Sequence, residues 1–97
     1  MATAYDALGR YDEAIENYQN AIESDPLNAD YYNDLADTLR EVKRYDEALD
    51  TVQQAISMDP SMILAYETMA QIYEATGRAD EAAQAMSQAN ALRSVAE

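Results

Sequence analysis

The 97-residue chain contains no cysteine, histidine, tryptophan or phenylalanine. Without cysteine it can form neither a disulfide framework nor a thiolate metal site, and without histidine it lacks the commonest general base and metal ligand. No apolar run approaches the length of about 18 residues that a membrane-spanning helix requires, and the first residues do not resemble a signal peptide. We therefore expect a non-catalytic, cytoplasmic protein that uses no metal and no other cofactor.

Basic residues are also scarce, since 6 Lys and Arg face 19 Asp and Glu and the net charge is -13. A surface this acidic disfavours binding to nucleic acid and to anionic membranes, and it favours basic partners. Acidic chains with few aromatic residues are often disordered, but eight tyrosines at regular positions argue for a packed core here. The length suits a single domain.

One five-residue motif recurs along the chain at a fixed spacing of 34 residues. Its three copies are Tyr11–Ile15, Tyr45–Leu49 and, in a weaker form, Ala79–Ala83. The only two prolines, Pro26 and Pro60, follow the first two copies at the same distance. A period of this length is typical of a protein built from stacked repeats, and it takes precedence over local patterns in predicting the fold.

Small residues recur in the same register at three phases of the repeat. They are Ala2, Ala36 and Ala70; Ala14, Ala48 and Ala82; and Ala21, Ala55 and Ala89. Small side chains at fixed phases predict that two helices approach closely there, while large residues between them fill the remaining space.

The pattern resembles the tetratricopeptide repeat, a helix-turn-helix unit of 34 residues. The middle copy carries the family's positions as Tyr32, Leu35, Ala36, Leu39, Tyr45, Ala48, Val52, Ala55 and Pro60. The last copy carries Tyr66, Met69, Ala70, Tyr73, Ala79, Ala82, Met86 and Ala89, with Ser94 in place of proline. The first copy carries Ala2, Tyr5, Tyr11, Ala14, Tyr18, Ala21 and Pro26. The resemblance implies an all-α, right-handed α-solenoid of about three repeats, at residues 1–28, 29–62 and 63–97.

Local signals predict where the helices begin and end. Gly9 is expected to stop a short first helix in a left-handed conformation, so that a second helix runs from Asp12 to about Ser24. Asn28 is expected to cap the next helix, with Leu27 packing onto Tyr32. The helix that Asn28 caps is predicted to end near residue 42. The next two predicted helices span residues 45–58 and 62–75, and Ser61 is expected to cap the second of them. The last predicted helix runs from residue 79 to about residue 94.

In the tetratricopeptide family, the first helices of the repeats line a concave groove that binds ligands. The groove phases of this sequence carry seven acids and one base, namely Asp6, Asp30, Asp34, Asp37, Glu41, Glu67 and Glu74, with Arg40. Four of the acids are spaced by 4, 3 and 4 residues, which places them on one face of one helix. Like charges at these spacings cost about 0.2–0.5 kcal/mol per pair, so the stripe is either retained for binding or is a solvated face.

Three neutral groups, Asn33, Thr68 and Gln71, lie between the acids. The predicted peptide-binding groove is therefore Asp6, Asp30, Asn33, Asp34, Asp37, Arg40, Glu67, Thr68, Gln71 and Glu74. Family members that hold acidic chaperone tails use a clamp of Lys, Arg and Asn at these phases. This sequence departs from that clamp, because only Asn33 matches it, and an acidic-tailed partner is not expected.

The leading functional hypothesis is a protein–protein interaction module that binds a basic or neutral peptide in an acidic groove. Catalysis is not expected, since paired carboxylates act as acid and base only in a shaped pocket. A calcium site is not expected either, because the sequence contains no EF-hand loop. The alternative is a structural unit, either a slice of a longer array or a self-associating scaffold. The first repeat lacks six residues of its register, which predicts fraying or a weak homodimer at residues 1–24.

Overall fold

Residues 2–96 of the computed structural model form five α-helices and no strand, and side chains are described for residues 10–95. The helices are α1 (Ala2–Ser24), α2 (Ala29–Glu41), α3 (Tyr45–Met58), α4 (Ile63–Ala75) and α5 (Ala79–Ala96). The predicted all-α class is confirmed. None of these helices is both long enough and apolar enough to cross a membrane.

The helices pair along the chain and stack in two layers. The most extensive contacts join α2 to α3 and α4 to α5, each pair being linked by a three-residue turn. The two pairs meet through α3 and α4 and also through direct contact between α2 and α4, while α1 packs against α2. This sequential stacking of helix hairpins is a helical repeat solenoid, as the 34-residue period predicts.

The two hairpin turns have the same geometry, and it ends α2 and α4 in the same way. Lys43 and Gly77 adopt positive φ angles of 66° and 77°. The amide of Arg44 then donates to the carbonyl of Leu39 at 2.9 Å, and that of Arg78 donates to Tyr73 at 2.8 Å. This is the Schellman arrangement, in which a left-handed residue lets the chain reverse while the last helical carbonyls stay hydrogen-bonded.

The connections between hairpins agree with the sequence at one cap and differ at two other points. Asn28 caps α2 as predicted, since its Oδ1 accepts a hydrogen bond from the amide of Asp30 at 3.1 Å. The predicted contact of Leu27 with Tyr32 is wrong, because Leu27 is 83% exposed. The predicted cap at Ser61 is also wrong, because its hydroxyl donates to Asp59 and α4 begins one residue later, after Met62.

The largest difference from the prediction is in the first repeat. The expected break at Gly9 is absent, and α1 continues through that residue as one helix of 23 residues. An isolated helix of about eight residues is marginal in water, whereas extension of the following helix supplies its backbone with hydrogen bonds. Glycine in the interior of a helix costs only about 1 kcal/mol relative to alanine, so the continuous helix is accessible.

The core lies where the hairpin helices approach each other most closely. The repeated alanines of the second and third copies are at most 4% exposed. They are Ala36, Ala48, Ala55, Ala70, Ala82 and Ala89. Val52 and Ile72 are the largest side chains that are fully buried among them. The alanine phases read from the sequence are therefore the contact points of the hairpins.

Replacement of one of these alanines should reveal how tightly the helices pack. We expect Ala55→Leu to lower the free energy of unfolding by about 1–3 kcal/mol, because the fully buried site has no room for three more carbon atoms. The matched control is Gln54→Leu, which adds the same side chain at the adjacent exposed position and should change stability by less than about 0.5 kcal/mol. Urea denaturation followed by circular dichroism measures both; equal destabilisation would contradict the assigned packing.

Candidate functional site

Carboxylates concentrate along one face of α2. Asp30 and Asp34 are exposed, and Asp37 is half-buried on the same side of the helix. Partial burial, followed by the negative charges of Asp30 and Asp37, raises the pKa of Asp34 above its ordinary value. The folded chain therefore holds these like charges at an energetic cost, which is the electrostatic property that distinguishes this helix.

A single arginine compensates the C-terminal end of this stripe. The Arg40 guanidinium donates to Asp37 Oδ1 from Nε at 3.2 Å and from Nη2 at 2.7 Å, and Nη2 also donates to Glu41 Oε1 at 3.0 Å. Partial burial opposes the charge of Arg40, but the hydrogen bonds and charges of the two carboxylates raise its pKa overall. The negative charge that has no such partner thus lies at the N-terminal end, on Asp30 and Asp34.

Helix α4 carries two acids, and one of them is paired. Glu67 is half-buried, and its Oε1 lies 3.2 Å from Nη2 of Arg93 on α5. Gln71 and Glu74 are exposed on the same helix. Among the side chains of residues 10–95, neither Glu74 nor the two leading acids of α2 form an ion pair. The sequence had indicated only one base beside these acids, and Arg93 is a second.

Two of the neutral groups predicted to line the groove are buried in the protein. Asn33 is 8% exposed and Thr68 is 7% exposed. The Oδ1 atom of Asn33 is buried and has no hydrogen-bond partner among the described residues. Leaving such an acceptor unsatisfied costs about 1–3 kcal/mol. These two residues therefore belong to the packed layer, and the exposed polar groups are those of Asp30, Asp34 and Gln71, together with Glu74.

Together these exposed and paired side chains define the α2–α4 face: Asp30, Asp34, Asp37, Glu67, Gln71 and Glu74. Of the other residues predicted for the groove, Arg40 borders this face through its bond to Asp37. The side chain of Asp6 lies outside those that the structure describes. No group of three carboxylates among the described residues is placed to hold a metal ion.

A cavity of about 440 Å³ opens next to Asp30, between the two inter-hairpin turns. It is lined by Asp25, Leu27, Asn28, Ala29, Asp30, Met58, Asp59 and Met62. The walls combine three carboxylates with the apolar side chains of a leucine and two methionines. The sequence pattern does not predict this cavity, although the repeated Asp-Pro dipeptides indicate that two equivalent turns come together in the stack.

Comparison with protein families identifies the class to which this fold belongs. Two family models, both described as tetratricopeptide repeat, match residues 1–63 and residues 39–93. Each match covers more than half of the chain, and the chain therefore belongs to the tetratricopeptide repeat family. Its helical repeat fold is that of a protein-interaction module. No curated protein sequence matches it at a significant level.

Solved structures of similar shape include those of two kinds of protein. The structure of MamA MSR-1 C2 is 27% identical, with a TM-score of 0.85, and the match covers 96% of this chain and 53% of that one. The chain spans about half the length of the MamA structures. The second TPR of Spaghetti (RPAP3), bound to the HSP90 peptide SRMEEVD, is 28% identical with a TM-score of 0.81, and the match covers 93% of this chain and 83% of that one.

The raised pKa of Asp34 predicts how stability depends on pH. The charge of Asp34 destabilises the folded state. This penalty is absent below the unfolded pKa of about 3.8 and is fully developed once pH has risen through the raised folded pKa. Asp34→Asn should therefore stabilise the protein at pH 7 by about 0.5 kcal/mol, since two like-charge contacts disappear, and should give no gain near pH 3. Urea denaturation at the two pH values measures the difference.

Asp37→Asn is the matched control for this prediction. It makes the same chemical change three residues away, but it also removes the 2.7 Å ion pair with Arg40. We expect no stabilisation from it at pH 7. A similar gain from both variants would show that total charge, rather than the local position of Asp34, determines the effect.

Proposed function

We propose that the chain binds a basic or neutral peptide segment of another protein on the α2–α4 face, without catalysis. The observation that carries this proposal is the row of three carboxylates on one face of α2, Asp30, Asp34 and Asp37, of which only Asp37 forms an ion pair among the described side chains. Repulsion between these like charges is unrelieved at Asp34, whose pKa is raised by partial burial and by its two neighbours. A cationic ligand would relieve that repulsion. Because these carboxylates lie on an open face, they lack the enclosed setting that acid–base chemistry requires.

The distribution of charge along α2 orients the proposed ligand. Arg40 already neutralises the C-terminal end through Asp37 and Glu41, so a basic ligand residue gains most beside Asp30 and Asp34. Asp30 also lines the neighbouring cavity, whose mixed acidic and apolar walls suit a lysine or arginine with its charged end and methylene stem. We therefore place the basic residue of the ligand at the N-terminal end of α2.

The same charges bear on the binding of an acidic peptide. The second TPR of Spaghetti (RPAP3) is bound to SRMEEVD, a peptide with an acidic C-terminal part. The α2–α4 face of this chain carries Asp34, Asp37 and Glu67. Juxtaposed like charges oppose association, so we propose that an acidic-tailed peptide is rejected.

Calorimetric titration with a short lysine-rich peptide tests this function directly. The double variant Asp30→Asn/Asp34→Asn should weaken binding by about 5- to 30-fold, if each exposed ion pair contributes about 0.5–1 kcal/mol. Wild-type affinity should also fall between 0.1 M and 1 M salt, as the Debye length shortens from about 10 Å to about 3 Å. SRMEEVD should show no binding at either salt concentration.

The matched control is Glu16→Gln/Asp50→Asn, which removes two exposed acids from the outer helices α1 and α3. It changes the net charge by the same amount as Asp30→Asn/Asp34→Asn. We expect it to leave the affinity for the lysine-rich peptide within about twofold of wild type. Equal weakening by the two double variants would attribute binding to overall charge and would refute the proposed site.

A gain of affinity should follow from removal of the base on α5. Arg93 lies 3.2 Å from Glu67, so Arg93→Gln frees that carboxylate for the ligand. We expect the variant to bind the lysine-rich peptide about two- to fivefold more tightly, the size expected for one exposed ion pair. Unchanged affinity would show that the ligand does not extend to Glu67.

A further inference from the structure

One face of α1 is open where the equivalent faces of α3 and α5 are closed. Ala48 and Ala82, one repeat apart, are at most 4% exposed, whereas their counterpart Ala14 is only half-buried. Ala21 is likewise half-buried, although its counterparts in α3 and α5 are fully buried. Residues 11–24 thus present a helix-packing surface that lacks its covering helix.

The reason is the continuity of α1. The packing face of α3 is covered by α2, and that of α5 by α4, each folded back through a three-residue turn. Residues 2–9 instead run straight on from residues 11–24 as one helix, about 35 Å long in all. A straight helix cannot pack against itself, so this segment cannot cover the open face of its own chain.

The sequence of residues 2–9 is nevertheless that of a covering helix. Ala2 and Tyr5 are in phase with Ala36 and Leu39, both of which are buried on α2. Gly9 is in phase with the two residues that adopt positive φ in the hairpin turns, at positions 43 and 77. The chain therefore carries the sequence of a third hairpin with its turn at Gly9, and the structure holds that hairpin open.

We propose that the open face of α1 is covered by residues 2–9 of a second copy of the chain. Two α1 helices, antiparallel and crossing near Gly9, would each lay their N-terminal segment beside residues 11–18 of the other. These are the same residue pairs that a closed hairpin would join within one chain, so the exchange restores its contacts without the left-handed turn. The inference does not depend on the function proposed for the α2–α4 face.

Salt separates this dimer from peptide binding. The chain carries a net charge of -13, so two copies repel each other at low ionic strength. Dimerisation should therefore strengthen between 0.1 M and 1 M salt, whereas binding of a basic peptide should weaken. Analytical ultracentrifugation across concentration at both salt levels measures the association constant; a monomer under all conditions would overturn the proposal.

Gly9→Ala tests the role of the hinge. Alanine favours the continuous helix and disfavours the left-handed turn, so the variant should dimerise at least about fivefold more tightly. Gly77→Ala is the matched control, because it makes the same change at a glycine with a φ of 77° whose added Cβ would meet no atom within 4 Å. It should lower stability and leave dimerisation unchanged. Weaker dimerisation of Gly9→Ala would overturn the proposal.

A charge on the open face should abolish the dimer. We expect Ala14→Glu to reduce association at least tenfold, while Gln19→Glu, which adds the same charge at an exposed position of α1, should match wild type within about twofold. Circular dichroism checks that both variants keep their helix content. A dimer that resists Ala14→Glu would place the interface elsewhere and refute the inference.

Cross-linking distinguishes exchange between chains from a closed hairpin. Because the chain has no cysteine, Tyr5→Cys/Ala14→Cys introduces the only two thiols. A short bifunctional maleimide should join two chains into a covalent dimer if residues 2–9 are exchanged. Linkage within single chains, with no covalent dimer, would show that the segment folds back on its own α1 and would overturn the proposal.

Discussion

Close contact between paired helices at alanine is the constraint on which this fold depends. Ala48 and Ala55 of α3 are fully buried. Their counterparts in α5 are at most 4% exposed, because a larger side chain at either phase would force the paired helices apart. The left-handed residues of the turns, Lys43 and Gly77, bring the helices back to that distance. Packing and turn geometry thus repeat together every 34 residues, and stacking of the hairpins follows from them.

The excess of negative charge is tolerated because it is kept at the surface and relieved at selected points. Arg40 and Arg93 each neutralise a half-buried acid, at Asp37 and Glu67, where partial removal from water would make an unpaired charge costly. Asp34, which has no such partner, shows the consequence in its raised pKa. Because six bases are unevenly placed among nineteen acids, the surface around Asp34 stays anionic.

The sequence predicted the parts of this structure that follow from the 34-residue period. It missed those that depend on a balance between alternative backbone conformations or on contacts between helices. The period located the buried alanines and four of the helices, because the packing of the core repeats even where the polar surface residues differ. It could not decide whether Gly9 ends a helix or lies within one, since glycine permits both and the balance rests on tertiary contacts. The position of a residue in the repeat also could not predict that Asn33 is buried or that Arg93 lies beside Glu67. Both depend on how neighbouring helices are displaced along their axes.

The two hairpin turns share one geometry but differ in the residue that adopts it, and this makes their local stabilities unequal. Gly77 adopts its positive φ without hindrance, whereas Lys43 carries a Cβ that makes the left-handed conformation about 1–2 kcal/mol less favourable. That difference corresponds to roughly a five- to thirtyfold shift in a local opening equilibrium. The α2–α3 turn is thus the less stable of the two hairpin turns, and local opening of the native structure should begin there.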